Sequence, residues 1–121
     1  MYTEITELIG KTITKIVGMV KGEDVVIFET SDGEKYEMYH DQDCCEEVTI
    51  DDVCGDVNDL IGSPILLAEE RTNEGDSEWG TCTWTFYHFV TAKGYLDLKW
   101  YGESNGYYSE RVDFRKVNNK K

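Results

Sequence analysis

The sequence predicts an α+β fold that is mainly β, with antiparallel strands in two pseudo-repeated halves. Apolar and polar residues alternate along short segments, as they do in strands with one buried face. Glycine-containing dipeptides separate these segments at hairpin spacing, and a Leu-Ile-Gly element occurs once in each half. The 121 residues fit one domain, 1–121, that buries a modest core.

The Leu-Ile-Gly element indicates an internal duplication of residues 7–40 and 59–101. Glu7-Leu8-Ile9-Gly10 is followed by Ile13, and Asp59-Leu60-Ile61-Gly62 is followed by Ile65. Each copy predicts a short helix that a glycine ends before a strand begins. The second copy has about nine extra residues near 72–80, a polar segment that predicts a long hairpin loop.

Each half then supplies three predicted strands, and a seventh strand ends the series. The residue types favour strands because β-branched and aromatic residues alternate between turn signals. The predicted strands span residues 12–20, 24–30 and 35–40 in the first half, 64–71, 80–91 and 95–101 in the second, and 107–115 at the C-terminus.

Residues 41–59 predict an acidic helical connector, with eight acidic residues, no basic residue and a short helix near Asp56. Carboxylates suit calcium, but their spacing departs from the EF-hand loop and lacks its central glycine, which favours a solvated acidic face. His40, Cys44, Cys45 and Cys54 are zinc-ligand types without paired CxxC spacing. We therefore expect reduced thiols and no metal site.

Charge limits the classes of partner. The net charge is −13 and the isoelectric point is near 4.4, which argues against a nucleic-acid backbone because Lys and Arg must neutralise its phosphates. No run approaches the roughly 18 apolar residues of a membrane span, and the N-terminus lacks a basic region followed by an apolar one. We expect a soluble, cytoplasmic protein.

Strand register gathers candidate residues on one face of the second half. A two-residue Lys93-Gly94 turn and a three-residue loop at 104–106 set apolar residues opposite apolar residues, with Leu98 and Trp100 in the core. The opposite face then carries two rows of residues. One row contains Phe86, Tyr101 and Ser109, and the other contains His88, Lys99 and Arg111. The rings of Trp84 and Tyr107 lie near the end of these rows.

These residue types point to a small anionic ligand that contains a flat ring. Neighbouring cations repel unless solvent, acids or a bound anion screen them, and aromatic rings stack on nucleobases with roughly 1 to 3 kcal/mol per base. The alternative is that the rings form a second core and that Arg111 pairs with Asp97 or Asp113.

Catalytic motifs are absent from the sequence. His40 and His88 lie outside any GxSxG or HExxH motif, and no phosphate-binding loop occurs. We therefore expect a protein that is not an enzyme and that needs no cofactor.

Three features together carry a family resemblance: Asp43-Cys44-Cys45-Glu46, the twofold Leu-Ile-Gly element and the stretch from Trp100 through Phe114. With them, the whole chain resembles the Thoeris anti-defence proteins of the first type, which are phage-encoded. The resemblance implies a sponge that binds glyco-cyclic ADP-ribose, a signal made by bacterial TIR-domain enzymes, without cleaving it. The host effector enzyme then stays inactive and cellular NAD is spared.

The resemblance also implies partners and residue roles. It implies a homo-oligomer in the host cytoplasm, with ligand pockets at subunit boundaries and, in some members, capture of cyclic oligonucleotides. Phe86 or Tyr107 would stack on adenine, and Arg111 with Lys99 would bind the diphosphate. The remaining roles would be ribose binding by Asn105 and Ser109 and a further phosphate contact by Arg71, acting across an interface.

Two rival hypotheses remain open. An acidic inhibitor would block a host defence protein by presenting residues 41–59 as a nucleic-acid mimic, which the net charge favours and the aromatic, cationic face does not. A small hydrolase would act on the same nucleotide. Binding without cleavage is the primary prediction.

Overall fold

A computed structural model describes residues 3–41, 46–78, 80–106 and 109–117. Eight antiparallel strands make up most of this part of the chain. Their bounds are β1 Ile13–Val17, β2 Val25–Thr30, β3 Lys35–Tyr39, β4 Glu46–Gly55, β5 Leu67–Asp76, β6 Thr81–Thr91, β7 Gly94–Ser104 and β8 Asp113–Val117.

The short helices predicted for the two halves are single 3-10 turns, Ile5–Leu8 and Val57–Asp59. The described residues contain no α-helix, so the mainly β part of the predicted fold class is confirmed and its α part is not. Nor does any helix in the described ranges have the length and apolar character needed to cross a membrane.

The strands form two four-stranded sheets that exchange a strand between the halves of the chain. Sheet one has the order β1-β2-β3-β8, and sheet two has the order β4-β7-β6-β5. Each sheet therefore contains three consecutive strands and one strand from the other half.

The inward residues of the two sheets share one hydrophobic core, because alternation gives each strand one apolar face. Phe28 of sheet one lies against Phe89 of sheet two, with ring centroids 6.1 Å apart. The largest fully buried side chains are Trp100, Tyr36, Tyr87, Phe28, Phe89, Leu8, Ile13, Met38, Ile50, Leu60, Ile65 and Leu96.

The predicted acidic helical connector, residues 41–59, is not helical over most of its described part, because Glu46–Gly55 forms β4 and pairs with β7, while residues 42–45 lie outside the described residues. Along this segment Glu46, Val48 and Ile50 are buried while Glu47 is exposed, and such alternation buries one face of a strand. The dense acidic residues obscured this period of two. The turn near Asp56 is present, and the Asp56 side chain accepts a hydrogen bond from the Asn58 amide.

Two other segments differ from the prediction. The polar segment near 72–78 is mostly strand, since β5 continues to Asp76 and pairs with β6 along its whole length. The C-terminal strand is β8, which pairs with β3 of sheet one and not with β7. The place beside β7 is taken by β4.

The β6–β7 hairpin turns one residue earlier than predicted. Thr91 pairs with Gly94, so Ala92 and Lys93 make the turn. A side chain on Gly94 would meet the Asp59 carboxylate, since a Cβ there would lie 2.7 Å from its Oδ2. Glycine at 94 thus serves close packing, and every cross-strand partner shifts by two residues while the two faces stay as predicted.

Candidate functional site

The outer face of sheet two presents the candidate residues of β5, β6 and β7 in rows. Directly paired residues of neighbouring antiparallel strands point to the same face, with Cβ atoms about 5 Å apart. The observed pairs Arg71–Phe86 and Phe86–Lys99 make one row across three strands. The next rows are Glu69, His88 and Asp97 on one side and Asn73, Trp84 and Tyr101 on the other.

The Arg71–Phe86–Lys99 row combines an exposed ring with two cations. Phe86 is 38% exposed, which is high for a large apolar side chain in a central strand. The Arg71 side chain forms no hydrogen bond or ion pair with any residue that the structure describes. Lys99 Nζ lies 3.4 Å from Asp51 Oδ2 and 5.1 Å from the centroid of the Trp84 ring. The row offers one flat surface and one unpaired guanidinium.

The row beside it is acidic at both ends, with an imidazole between. His88 Nδ1 hydrogen-bonds Asp97 Oδ1, and both side chains are about half exposed. Glu69, on the other side of His88, is exposed, and its side chain has no hydrogen bond or ion pair to a described residue. Because one ring nitrogen is held by Asp97, Nε2 of His88 remains for other contacts.

The row of Trp84 and Tyr101 is already satisfied by internal contacts. The two ring centroids are 4.4 Å apart, and the Tyr101 hydroxyl donates to Glu103 Oε1 at 2.9 Å. Partial burial and this hydrogen bond raise the pKa of Tyr101. Tyr101 therefore supports the Trp84 ring at the end of the site.

These rows border a groove of about 740 Å³, here called the outer groove, within the size range of small-molecule sites. Four of the nine predicted ligand-binding residues line it, Arg71, Phe86, His88 and Lys99. Tyr101 lies in the next row. Asn105 lies roughly 13 Å further along, four residues past Tyr101 in the turn that follows β7. Tyr107 lies outside the described residues.

Ser109 and Arg111 belong to a different groove, so the predicted row of His88, Lys99 and Arg111 is wrong. The chain leaves β7 and crosses to sheet one, where β8 begins at Asp113. Arg111 Nε lies 3.6 Å from Asp113 Oδ1, and its side chain is 76% exposed. The observed contact is thus the Arg111–Asp113 pair of the packing alternative.

This second groove, here called the inner groove, measures about 830 Å³ and faces away from Phe86. Its walls are mainly hydroxyl-bearing and acidic, with Glu70, Thr72, Glu74, Thr83, Thr85 and Ser109, and Arg111 adds a positive charge. Thr85 pairs directly with Trp100 across the strands. Thr85 Oγ1 and Trp100 Nε1 are both buried, and neither has a hydrogen-bond partner among the described residues.

Glu110, which was not predicted from the sequence, holds the crossing segment against sheet two. Its carboxylate accepts hydrogen bonds from Thr81 Oγ1 at 2.5 Å, Thr83 Oγ1 at 2.8 Å and Ser104 Oγ at 2.5 Å. Burial favours the neutral acid, but the three hydrogen bonds together outweigh it and lower the pKa of Glu110. Only the cross-strand pairing brings these hydroxyls together.

His40 has a structural role. Its Nε2 lies 2.8 Å from Glu46 Oε2, and its Nδ1 donates to the Arg111 carbonyl oxygen at 2.8 Å. Both ring nitrogens are therefore engaged by protein atoms. Cys44 and Cys45 lie outside the described residues, within which no group of metal-ligating side chains occurs. Cys54 is a free exposed thiol and Cys82 a free buried one.

The sequence signal for the outer groove lay in the β5–β6 pairing. Arg71 was predicted as a further phosphate contact across an interface, and pairing along all of β5 sets it directly beside Phe86 of the same chain. Glu69 was not predicted, because the loop expected at 72–80 left no register between the strand that contains Glu69 and β6.

Comparison with known proteins gives a family and no characterised relative. Residues 6–114 match the profile of a domain of unknown function, DUF7448. Neither the curated proteins nor the solved structures contain a match to the chain. Because the matched region spans nearly the whole sequence, the chain belongs to the DUF7448 family.

Proposed function

We propose that this protein binds and sequesters a cyclic ADP-ribose signal, glyco-cyclic ADP-ribose, made by bacterial TIR-domain enzymes. As a phage anti-defence protein in the host cytoplasm, it would block Thoeris immunity without degrading the signal. The resemblance of the chain to the Thoeris anti-defence proteins supports this proposal. The observation that carries it is the Arg71–Phe86–Lys99 row in the outer groove.

The row matches the two chemical parts of such a ligand. The exposed Phe86 ring offers a stacking surface for adenine, and stacking of this kind contributes roughly 1 to 3 kcal/mol. The Arg71 guanidinium is planar and always charged, so it suits bidentate binding of a diphosphate oxygen pair. Lys99 adds positive charge on the other side of the ring, moderated by Asp51.

Sequestration requires only tight binding of the ground state, whereas catalysis also needs stronger binding of a transition state. The His88 ring is held by Asp97 at the edge of the groove, where it serves as a hydrogen-bond partner for ligand. We therefore propose binding without chemistry.

A homo-oligomer with ligand at the subunit boundary is part of the proposal. The outer groove lies on an open sheet face, and both β4 and β5 are edge strands of sheet two. A second protomer therefore has access to the groove from either side. Ligand that contacts two chains would stabilise the oligomer by mass action, and capture of cyclic oligonucleotides would use the same basic chemistry.

Calorimetric titration of cyclic ADP-ribose isomers tests this function. Wild-type protein is expected to bind at least one isomer. Arg71→Ala should weaken that binding by about tenfold or more, as loss of a charge-assisted hydrogen bond does. Phe86→Ala should weaken it by about 5- to 150-fold, the equivalent of one stacking contact.

Arg111→Ala is the matched control, since it also removes an exposed guanidinium but lies outside the outer groove. It should leave affinity within about twofold. Equal losses in Arg71→Ala and Arg111→Ala would contradict the outer groove as the site. Ligand released by heating the complex should be intact by mass spectrometry, and altered ligand would indicate a hydrolase.

The alternative function is an acidic inhibitor of a host defence protein. It is favoured by β4, an edge strand that exposes Glu47 and Asp52 and is flanked by Asp56. This alternative predicts no binding of any cyclic nucleotide. The same titration therefore separates the two functions.

We also infer that the two halves derive from one duplicated unit. Supporting this, the backbone hydrogen bonds Gly10 N to Ile65 O and Gly62 N to Ile13 O are reciprocal between the Leu-Ile-Gly elements. Each half contributes a 3-10 turn and four strands, the fourth lying in the other sheet. The binding role then belongs to the second half, whose extra residues lengthen β5 and β6.

A further inference from the structure

We propose that Glu69 binds the hydroxyl pair of a ribose and makes the outer groove selective for ribosyl nucleotides over anions alone. This inference rests on the proposed function and deepens it by naming the part of the ligand that sets specificity. It assigns a role to a residue that the sequence did not single out.

The spacing of charge along β5 is the first observation. Glu69 and Arg71 lie two residues apart on the same strand and face the same side, beside His88 and Phe86 respectively. Residues two apart on a strand are separated by about 6.7 Å. This is close to the span of one ribose from its 5′ phosphate to its 2′ and 3′ hydroxyls.

The second observation is that the Glu69 carboxylate can accept hydrogen bonds from a ligand. It is exposed and lines the outer groove, and it makes no hydrogen bond or ion pair with a described residue. An ionised carboxylate only accepts hydrogen bonds, and its two oxygens match two neighbouring hydroxyls. Nucleotide-binding folds use an acidic residue on ribose hydroxyls for the same reason.

Among the acids of this row, Glu69 is the one whose side chain can accept hydrogen bonds from the ribose hydroxyls. Asp97, the other acid of the row, is occupied by Nδ1 of His88. His88 lies between the two acids in the row, and its Nε2, which has no hydrogen bond to a described residue, can bind the same sugar. A carboxylate beside the phosphate-binding arginine weakens binding of an anion alone, because like charges repel at this range. The groove thus favours a ligand with an anionic end and a hydroxyl-bearing end.

The closing experiment measures affinity for four probes: a cyclic ADP-ribose isomer that binds the wild type, two deoxy analogues of it that each lack one free hydroxyl of a different ribose, and inorganic pyrophosphate. Glu69→Gln should weaken binding of the parent ligand by about tenfold, since hydrogen bonds to a charged group are stronger than those between neutral groups. Glu69→Gln should leave the affinity for at least one deoxy analogue unchanged, and its affinity for pyrophosphate should be equal to or higher than that of the wild type.

Glu47→Gln is the matched control. It removes one negative charge from the same outer face, three rows away from Glu69. Its affinity for every probe should equal that of the wild type. Circular dichroism melting checks that both variants fold.

Each outcome has a distinct meaning. If Glu69→Gln binds the parent ligand and both deoxy analogues with unchanged or equally reduced affinity, the ribose role is overturned while the proposed function stands. If Glu69→Gln binds every probe more tightly than the wild type, Glu69 acts only as a repulsive charge, and the ribose role is again overturned. If the wild type binds no cyclic nucleotide, both the function and the ribose role fail.

Discussion

At the residue scale, the two arginines that were predicted to bind phosphate lie in different grooves. Arg111 lies in an aromatic-rich stretch, yet the structure pairs it with Asp113 beside the inner groove. Arg71 precedes a polar segment, yet it lies beside Phe86 with no ion pair to a described residue. The identity of a side chain sets its chemistry, but its strand partner sets what that chemistry meets.

Glu110→Gln tests the buried carboxylate that fixes the crossing segment. Because its pKa is lower in the folded protein, Glu110 stabilises the fold fully above the unfolded value near 4.3 and loses this contribution as pH falls through the folded value. We expect Glu110→Gln to cost about 2 kcal/mol at pH 7, because charge-assisted hydrogen bonds are lost.

Urea unfolding of wild type and Glu110→Gln between pH 7 and pH 3 provides the measurement. The difference in the free energy of unfolding should shrink as the pH falls below about 5. A difference that stays constant over this range would show that Glu110 contributes through packing and not through its charge.

At the element scale, strand length explains why the candidate site lies in the second half. The strands β5, β6 and β7 have 10, 11 and 11 residues, against 5, 6 and 5 for β1, β2 and β3. The added length carries the Arg71–Phe86–Lys99 row on one face. On the other face it receives the segment around Glu110, which lies across β7 at Gly102.

Gly102→Ala tests this close approach. A Cβ at position 102 would lie 2.8 Å from Val48 Cγ2 and 3.0 Å from the Glu110 carbonyl oxygen, so β4 or the crossing segment must move. We expect a loss of about 1 to 3 kcal/mol in the free energy of unfolding, as overpacking causes.

Gly75→Ala is the control for a strand glycine, because the nearest atom to its Cβ would be Cys82 Sγ at 3.7 Å, an ordinary contact. Its stability should stay within about 0.5 kcal/mol of wild type. Equal effects of the two substitutions in urea unfolding would argue that nothing packs closely at Gly102.

At the scale of the whole molecule, strand exchange makes each half depend on the other. Sheet one lacks β8 without the second half, and sheet two lacks β4 without the first. The core residues of both sheets also pack against each other, as Phe28 and Phe89 do. Such an arrangement favours unfolding in one cooperative step.

Separate expression of residues 1–55 and 56–121 tests this dependence. Each fragment alone should lack the dispersed amide spectrum of a folded protein, because it exposes half of the shared core and an unpaired sheet edge. Mixing the fragments should restore the spectrum of the intact chain. A native-like spectrum from either fragment alone would show that the halves are independent domains.

How much of the fold and site the sequence predicts differs between the parts of the chain. The β6–β7 hairpin and its two faces were predicted, since alternation of apolar residues there is regular. β4 was not, because its acidic residues obscure the alternation, and the β7–β8 pairing was wrong. Four of nine candidate residues share the outer groove as a result.

The sequence by itself determined which face of most strands is buried and which is exposed, because a period of two in apolar residues requires it. Phe86, His88 and Lys99 were thereby assigned to one surface. Only the tertiary structure decided which strands are neighbours, because backbone hydrogen bonds pair any two strands equally well. That choice set β4 beside β7 and sent β8 to sheet one, and it brought Arg71 and Glu69 to the groove in place of Arg111 and Ser109.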